Sequence, residues 1–223
     1  MNRTRFVLSM SCLSALLMLA GAVYAGGWAI VTLSEFPDYA VAGKPLNLTF
    51  AVRQHGVTLL SELQPKITAT DGTGIVIKGK VAPGVAKGEY TAALLLPQPG
   101  DWKITIDSGF NGNTSMLPAV KVIAAGSPTP TAFAPGTRGM RLFTAKGCVG
   151  CHRHLEVNPE RQTDAKFDLT GRRYPNDYLK KFLADPSIKP AEMPNLKLKD
   201  DEIEALAAFI NKAAIKQDRQ VQR

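Results

Sequence analysis

The chain of 223 residues is long enough for two modest domains, and its apolar fraction of 45% excludes wholesale disorder. Its formal charge of +8 lies toward the C-terminus: residues 137–223 carry 17 basic and 12 acidic side chains, whereas residues 26–136 carry 8 and 7. Such a balance indicates either simple solubility or steering toward an acidic partner protein. Nucleic acid is a poor candidate partner, because no aromatic and basic groove pattern is present.

The first 25 residues have the pattern of an export signal. Arg3 and Arg5 precede an uncharged stretch that ends in the small-residue pattern Val23-Tyr24-Ala25. Cleavage before Gly26 predicts a periplasmic protein and also removes Cys12. The alternative is a retained anchor on the outer face of the inner membrane, because about 20 apolar residues span a bilayer.

Residues 26–124 contain short apolar or alternating segments separated by turn residues, which predicts β-strands. The predicted strands are residues 28–33, 46–54, 67–70, 74–78, 90–96, 102–107 and 119–123. Seven short strands with almost no helical periodicity predict an immunoglobulin-like sandwich, in which Trp102 is expected to anchor the core. This region has no cysteine pair, so packing alone must hold it together.

A proline-rich segment at residues 125–136 predicts an extended linker between two domains. From residue 137 to 223 the periodicity becomes helical. Helices are predicted at about residues 137–146 and 176–184, and a last one has Asp200 as its expected N-cap. Three short helices bury little surface, so a large apolar cofactor would supply the missing core. The predicted fold class is an all-β sandwich followed by an all-α domain.

The segment Cys148-Val149-Gly150-Cys151-His152 carries the chemistry of the second domain. Two thiols at this spacing can form thioethers to two haem vinyl groups, and the adjacent histidine can ligate the iron. A thioredoxin-like pair would need a strand before the motif and a helix starting at its first cysteine. A zinc site would need two further ligands, for which only His55 and His154 remain. The pattern therefore predicts one covalently bound haem c.

Residues from about 136 to 212 resemble a small single-haem class I cytochrome c domain. The resemblance rests on five further motifs, which are Gly139-x-x-x-Phe143-x-x-x-Gly147, Asp168-Leu169-Thr170-Gly171-Arg172-Arg173, Tyr178-Leu179-x-x-Phe182-Leu183-x-x-Pro186, Met193-Pro194-x-Leu196-x-Leu198 and the closing Leu206-x-x-Phe209. It implies that the first and last helices cross, with Gly139 allowing their close approach. It also implies that Met193 is the second axial ligand opposite His152, and a thioether there favours the ferrous state.

One departure from this family concerns the orientation of the ligand histidine. Many members have a Gly-Pro before Asp-Leu-Thr-Gly, and the proline carbonyl accepts a hydrogen bond from that histidine. Here Lys166-Phe167 stand in that place, and which carbonyl serves is open. Arg172 and Arg173 are candidates to pair with the haem propionates, the alternative being a solvated turn.

Residues 28–124 are similar to small exported YtkA-like β-sandwich domains. The similarity rests on Phe50-x-Val52-Arg53-Gln54-His55-Gly56 and on Pro99-Gly100-Asp101-Trp102, and it implies a fold rather than an activity. His55 invites a metal-site hypothesis. No second histidine or cysteine accompanies it in this domain. We therefore expect His55 to be a surface histidine or one at the end of a strand, without a metal.

These features predict an exported electron carrier that is not itself an enzyme, with both axial positions of the iron filled. The alternative is a haem-bearing subunit of a larger membrane respiratory or oxidoreductase complex, which the two-domain layout favours. An enzyme or gas sensor would need an open axial position, and Met193 argues against one. The expected partners are redox proteins, either with acidic surfaces or within a membrane-bound respiratory complex.

Overall fold

The computed structural model describes residues 27–189 and 193–212. Its β structure extends from Ala29 to Ile123 and its three α-helices from Pro135 to Ile210. Within these described ranges, no helix is long and apolar enough to cross a membrane. The predicted export signal at residues 1–25 lies outside the described residues, so its cleavage or retention stays a prediction.

The first domain, called the sandwich below (residues 27–124), has eleven strands in the part that the structure describes. They are β1 Ala29–Leu33, β2 Tyr39–Val41, β3 Pro45–Gln54, β4 Thr58–Leu59, β5 Lys66–Thr70, β6 Val76–Lys78, β7 Lys80–Pro83, β8 Glu89–Leu95, β9 Gly100–Asp107, β10 Thr114–Met116 and β11 Val120–Ile123. One sheet has the order β1-β3-β8-β7, with β4 beside β3. The other has the order β2-β11-β9-β5-β6, with β10 beside β9. This two-sheet arrangement confirms the predicted sandwich.

Alternation along the strands places the apolar side chains between the two sheets. In β3 every second residue from Leu46 to Val52 is buried, and in β9 the same holds from Trp102 to Ile106. Trp102 is 0% exposed, and its indole Nε1 donates to the carbonyl of Gln98 at 3.1 Å. Trp102 therefore anchors the core, as expected, with its one polar atom satisfied.

Four short strands escaped the sequence analysis, namely β2, β4, β7 and β10. Each has two to four residues and presents half-buried or exposed side chains at most positions. An alternating pattern needs more residues than these to stand out. Their strand conformation comes from pairing with longer neighbours such as β3, β8, β9 and β11.

The second domain, called the helical domain below (residues 135–212), contains α1 Pro135–Ala145, α2 Asn176–Ala184 and α3 Asp200–Ile210. Helix α1 begins two residues before the prediction, with Pro135 in its first turn, where a missing N–H is tolerated. The prediction that Asp200 caps α3 is wrong. Lys199 is the N-cap, because its backbone N–H donates to the Glu202 carboxylate at 3.1 Å, which moves Asp200 into the first turn.

Helices α1 and α3 cross in contact, as the resemblance implies. A Cβ on Gly139 would lie 2.6 Å from the carbonyl carbon of Ala205, so only glycine permits this approach. Next to the crossing, the Phe143 and Phe209 rings meet edge to face with centroids 5.5 Å apart. The family's glycine and aromatic positions thus form the centre of the helical core.

The helical domain also packs directly against the sandwich. The Lys146 side chain is 1% exposed, and its Nζ lies 2.7 Å from the Glu202 carboxylate and 2.6 Å from the Ser34 carbonyl. The Arg141 guanidinium lies between the rings of Phe36 and Phe133, at 5.1 and 4.5 Å from their centroids. These contacts come from both domains and from the linker, and they fix the domains against each other.

Part of the basic charge of the helical domain is used inside this junction. Lys199 pairs with Glu35, and Arg138 lies 3.7 Å from Asp38. Together with Lys146, these side chains face oxygen atoms of the sandwich. The charge counted from the sequence therefore overstates the basic surface that the helical domain offers to other molecules.

Candidate functional site

The cysteine motif lies in a tight loop at the end of α1. Gly147 adopts a φ of 76°, which ends the helix and favours glycine. A single 3-10 turn then spans Cys148–Gly150, and the N–H of His152 donates to the Cys148 carbonyl at 2.8 Å. This turn brings the two cysteines and the histidine together on one short segment.

Both thiols of the motif are half-buried and neither forms a disulfide. Burial raises the pKa of the Cys148 thiol to about 12. Burial also raises the pKa of the Cys151 thiol, although the positive charge of Arg161 acts in the opposite direction. The surroundings thus disfavour thiolates. Uncharged sulfur atoms, whether thiols or thioethers, are therefore compatible with these surroundings.

The imidazole of His152 has one nitrogen engaged by the protein. Its Nδ1 lies 3.2 Å from the Phe167 carbonyl oxygen. Since a carbonyl only accepts hydrogen bonds, Nδ1 carries the proton and Nε2 keeps its lone pair. Burial lowers the pKa of His152, against the effect of the Phe167 hydrogen bond, so the ring is kept in the neutral form that ligates metals.

A local network fixes the Phe167 carbonyl. The N–H of Arg153 donates to it at 3.2 Å, and the N–H of Leu169 donates to the Arg153 carbonyl at 2.9 Å. The Arg153 guanidinium pairs with Asp168 at 2.5 Å. Although burial acts to raise it, the pKa of Asp168 is lowered by hydrogen bonds from Thr170 and Arg153. Arg153, which follows His152, is thus tied to the loop that orients the His152 ring.

Met193 is half-buried and packs against the apolar core, as Cys148 does. A thioether and an imidazole nitrogen are donor types that suit haem iron. Cys148, Cys151, His152 and Met193 together are therefore the residues that would hold a covalently attached haem. The role of each of them stays a prediction.

Comparison with protein families identifies this part of the chain. The sequence model of the family described as "Cytochrome c" matches residues 136–214. Residues 136–214 are a cytochrome c domain. The domain carries one covalently bound c-type haem and transfers electrons, and it is called the cytochrome domain below.

Other comparisons give little beyond this. No curated protein matches the chain. Among solved structures, the Lin-41 filamin domain has a TM-score of 0.36 at 12% identity, over 42% of this chain and 91% of that one. Domains 4 and 5 of the S-layer protein SbsC have a TM-score of 0.32 at 14% identity, over 44% of this chain and 54% of that one. At these TM-scores neither similarity supports a conclusion.

The two other histidines of the chain take different positions. His154 is 3% exposed, its ring lies 4.3 Å from that of Phe209, and burial lowers its pKa. It is a core residue of the cytochrome domain. His55 is exposed at the end of β3 and meets Trp28 edge to face at 5.8 Å. Across residues 27–189 and 193–212, no group of three His, Cys, Asp or Glu side chains is placed to hold a metal ion.

The two arginines predicted to pair with propionates differ in their contacts. The Arg172 guanidinium donates to the carbonyls of Ala165 at 2.9 Å and Asp168 at 3.2 Å, which stiffens the loop around Phe167. Arg173 is exposed. These positions of Arg172 and Arg173 do not test the pairing with haem propionates, which stays a prediction.

Two residues that hold the motif were missed by the sequence analysis. The Asn158 side-chain amide donates to the carbonyls of Val149 at 3.2 Å and His152 at 2.9 Å, and its oxygen accepts from the N–H of His154 at 2.8 Å. The Arg161 guanidinium donates to the Gly150 carbonyl. Both lie in an irregular segment without periodicity, so no sequence pattern indicates which backbone groups they contact.

Proposed function

We propose that this protein is an exported carrier of single electrons. In this proposal its haem is attached through Cys148 and Cys151 and is ligated axially by His152 and Met193. The observation that carries the proposal is the held imidazole of His152, whose Nδ1 donates to the Phe167 carbonyl and leaves Nε2 available beside two half-buried thiols. When bound, the haem supplies reversible one-electron cycling of its iron.

The chain's own residues suit such a carrier in two ways. First, the network around Arg153 and Asp168 holds the histidine ring in one orientation, so little rearrangement accompanies a change of charge at the ligand. Second, with His152 and Met193 both bound to iron, no axial position is left for a substrate. The resulting protein exchanges electrons with other proteins and does not transform a small molecule.

Export is part of the proposal. The segment that ends in Val23-Tyr24-Ala25 has the composition of a cleavable signal. C-type cytochrome domains typically work outside the cytoplasm, which agrees with a periplasmic location. A retained N-terminal segment would instead hold the protein at the outer face of the inner membrane.

A second candidate is a haem-bearing subunit of a larger membrane respiratory or oxidoreductase complex. The firm junction between the domains favours it, because Arg138, Lys146 and Lys199 are engaged there and leave less basic surface for brief encounters. A membrane preparation distinguishes the two candidates. The shuttle is released once high salt screens its attraction to a partner, whereas a subunit copurifies with other chains at high salt.

The ligand set is tested on protein expressed with a haem-attachment system. We expect red protein whose haem stays with the polypeptide in acidified organic solvent. Met193→Ala should lose the methionine-to-iron absorption of the ferric form, and its ferrous form should bind carbon monoxide rapidly. Met140→Ala is the matched control, since Met140 is half-buried on α1. It should keep the methionine-to-iron absorption and should bind carbon monoxide no faster than the wild type. Extractable haem would contradict the attachment, and an unchanged Met193→Ala spectrum would contradict the axial ligand.

A further inference from the structure

Strand β1 of the sandwich lies directly against the cysteine loop. The buried side chain of Ile30 fits between two glycines of that loop. A Cβ on Gly147 would lie 2.5 Å from Ile30 Cγ2, and one on Gly150 would lie 2.5 Å from Ile30 Cγ1. Glycine between the two cysteines is therefore required by the neighbouring domain as well as by the turn.

A second part of the sandwich covers Cys151 itself. Gly56, in the turn between β3 and β4, has a φ of 78° and is buried. A Cβ placed on it would lie 3.2 Å from the Cys151 Sγ and 3.9 Å from Cη2 of the Trp28 ring. Two separate segments of the sandwich thus meet the motif, one at Gly150 and the other at Cys151.

The cover is incomplete on one side, and that side does not include Cys151. A cleft of about 450 Å³ remains between the edge of the sandwich and the loop, and its lining includes Ile30, Val149, Gly150 and Arg161. Cys151 is not among the residues that line it. Water can therefore approach the loop beside Val149 and Gly150, whereas Cys151 lies outside the cleft and is half-buried.

The junction contacts make this cover a fixed feature. Lys146 is buried between Glu202 and the Ser34 carbonyl, four residues along the chain from Ile30. The Arg141 guanidinium donates to the Ala119 carbonyl at 2.9 Å. Separating the domains would take the Ser34 carbonyl from Lys146 and the Ala119 carbonyl from Arg141, and the loss of these hydrogen bonds to buried charged groups opposes opening.

We propose that the sandwich is a fixed cover of the haem-attachment loop, which limits the access of water to the Cys151 side of the haem and thereby raises its reduction potential. The proposal rests on attachment through Cys148 and Cys151. Ferric haem carries one more positive charge than ferrous haem, and surroundings with less water disfavour the more highly charged state. Ile30 and Gly56 act here as positioning residues, since they act through the loop and through exclusion of water.

The test replaces Ile30 with a neutral polar residue, so that no new charge acts on the iron. Ile30 lies outside the sandwich's central apolar cluster, so Ile30→Asn should leave that domain folded. In the full-length haem protein we expect a lower midpoint potential. We also expect roughly tenfold faster hydrogen exchange at residues 147–151. Ile188→Asn is the matched control, because Ile188 is 51% exposed in the cytochrome domain, and it should change neither quantity.

Each outcome bears on the proposal. Faster hydrogen exchange with an unchanged midpoint potential would show that the cover opens without effect on the haem. Unchanged hydrogen exchange would show that Ile30 does not hold the cover. Either result overturns the proposal. Ile30→Ala, a milder change, should shift both quantities in the same direction and serves if the asparagine variant does not fold. Haem content of the wild type is measured first, because its absence would refute the attachment proposal rather than the cover.

Discussion

The sandwich and the cytochrome domain maintain their structures by different means. Between its two sheets the sandwich buries large apolar side chains such as Phe50, Ile67 and Trp102, and alternation along the strands is enough to place them. The cytochrome domain buries one face of α1 and most of α3, of which a single stripe of residues is exposed. Between α1 and α2 its chain is irregular apart from short turns, and side-chain hydrogen bonds to the backbone hold it.

The two domains therefore differ in the contacts on which their stability depends. A core made of many apolar residues from long strands tolerates the loss of any single polar contact. A domain of three short helices around an irregular loop has a smaller core and depends on the group bonded to that loop. The two domains share one junction, so the contrast can be tested by changing one side and observing the other.

The largest effect is expected from removing the attachment residues. Cys148→Ala combined with Cys151→Ala should abolish covalent haem and with it the cooperative unfolding of the cytochrome domain, while the sandwich keeps its own transition. Haem absorbance, circular dichroism during heating and hydrogen exchange measure these changes. Wild-type protection of helix α1 in the haem-free variant would refute the difference drawn between the domains.

The next effect concerns the sandwich alone. Trp102→Ala should lower its free energy of unfolding by about 3–5 kcal/mol, because a fully buried ring and its hydrogen bond to Gln98 are lost. The haem spectrum should stay the same. Trp28→Ala is the control: the ring is 39% exposed and should contribute about 1 kcal/mol or less. Urea denaturation followed by circular dichroism provides both values, and equal losses would contradict the assignment of Trp102 to the core.

A somewhat smaller effect is expected at the junction. Lys146→Met should lower the free energy of unfolding by about 3 kcal/mol, because the buried Glu202 carboxylate loses its cation. Adding Glu202→Leu should recover most of that loss, which a double-mutant cycle measures. Lys180→Met breaks the exposed pair with Glu204 and should change stability by about 0.5 kcal/mol or less. No recovery in the double variant would show that the pair is not the source of the loss.

The smallest effect is expected from the exposed pair of Glu35 and Lys199. The hydrogen bond and then the charge of Lys199 lower the pKa of Glu35, and Glu35 in turn raises the pKa of Lys199. Because the carboxyl pKa of Glu35 is lowered in the folded protein, the ion pair stabilises the junction at pH values above the ordinary pKa of a glutamate. That stabilisation is lost as the pH falls through the folded-state pKa. Glu35→Gln should therefore speed proteolysis of the linker slightly at pH 7 and have no effect at strongly acidic pH in an acid-stable protease.

Glu62→Gln, at an exposed position of the sandwich, is the control for that experiment. It should match the wild type at every pH. A Glu35→Gln effect that persisted in acid would have a cause other than the ion pair.

Much of the architecture could be predicted because its causes are local. Apolar alternation indicated the long strands such as β3 and β9, helical periodicity indicated α1 to α3, and the spacing of Cys148, Cys151 and His152 indicated covalent haem. Gly139 was assigned to the helix crossing through a family motif, and a Cβ there would clash with Ala205 in the structure. Each of these signals lies within a few residues of the feature that it predicts.

The remaining features depend on contacts between distant parts of the chain, which only the tertiary structure decides. The carbonyl that orients His152 belongs to Phe167, fifteen residues away. Lys146 reaches the carbonyl of Ser34 across 112 residues, and Ile30 meets Gly150 across a similar span. By itself, the sequence determined two domains and a haem motif, since periodicity and spacing are written locally. The packing of the sandwich against that motif joins segments that are distant in sequence, and no local sequence pattern indicates that they lie close together.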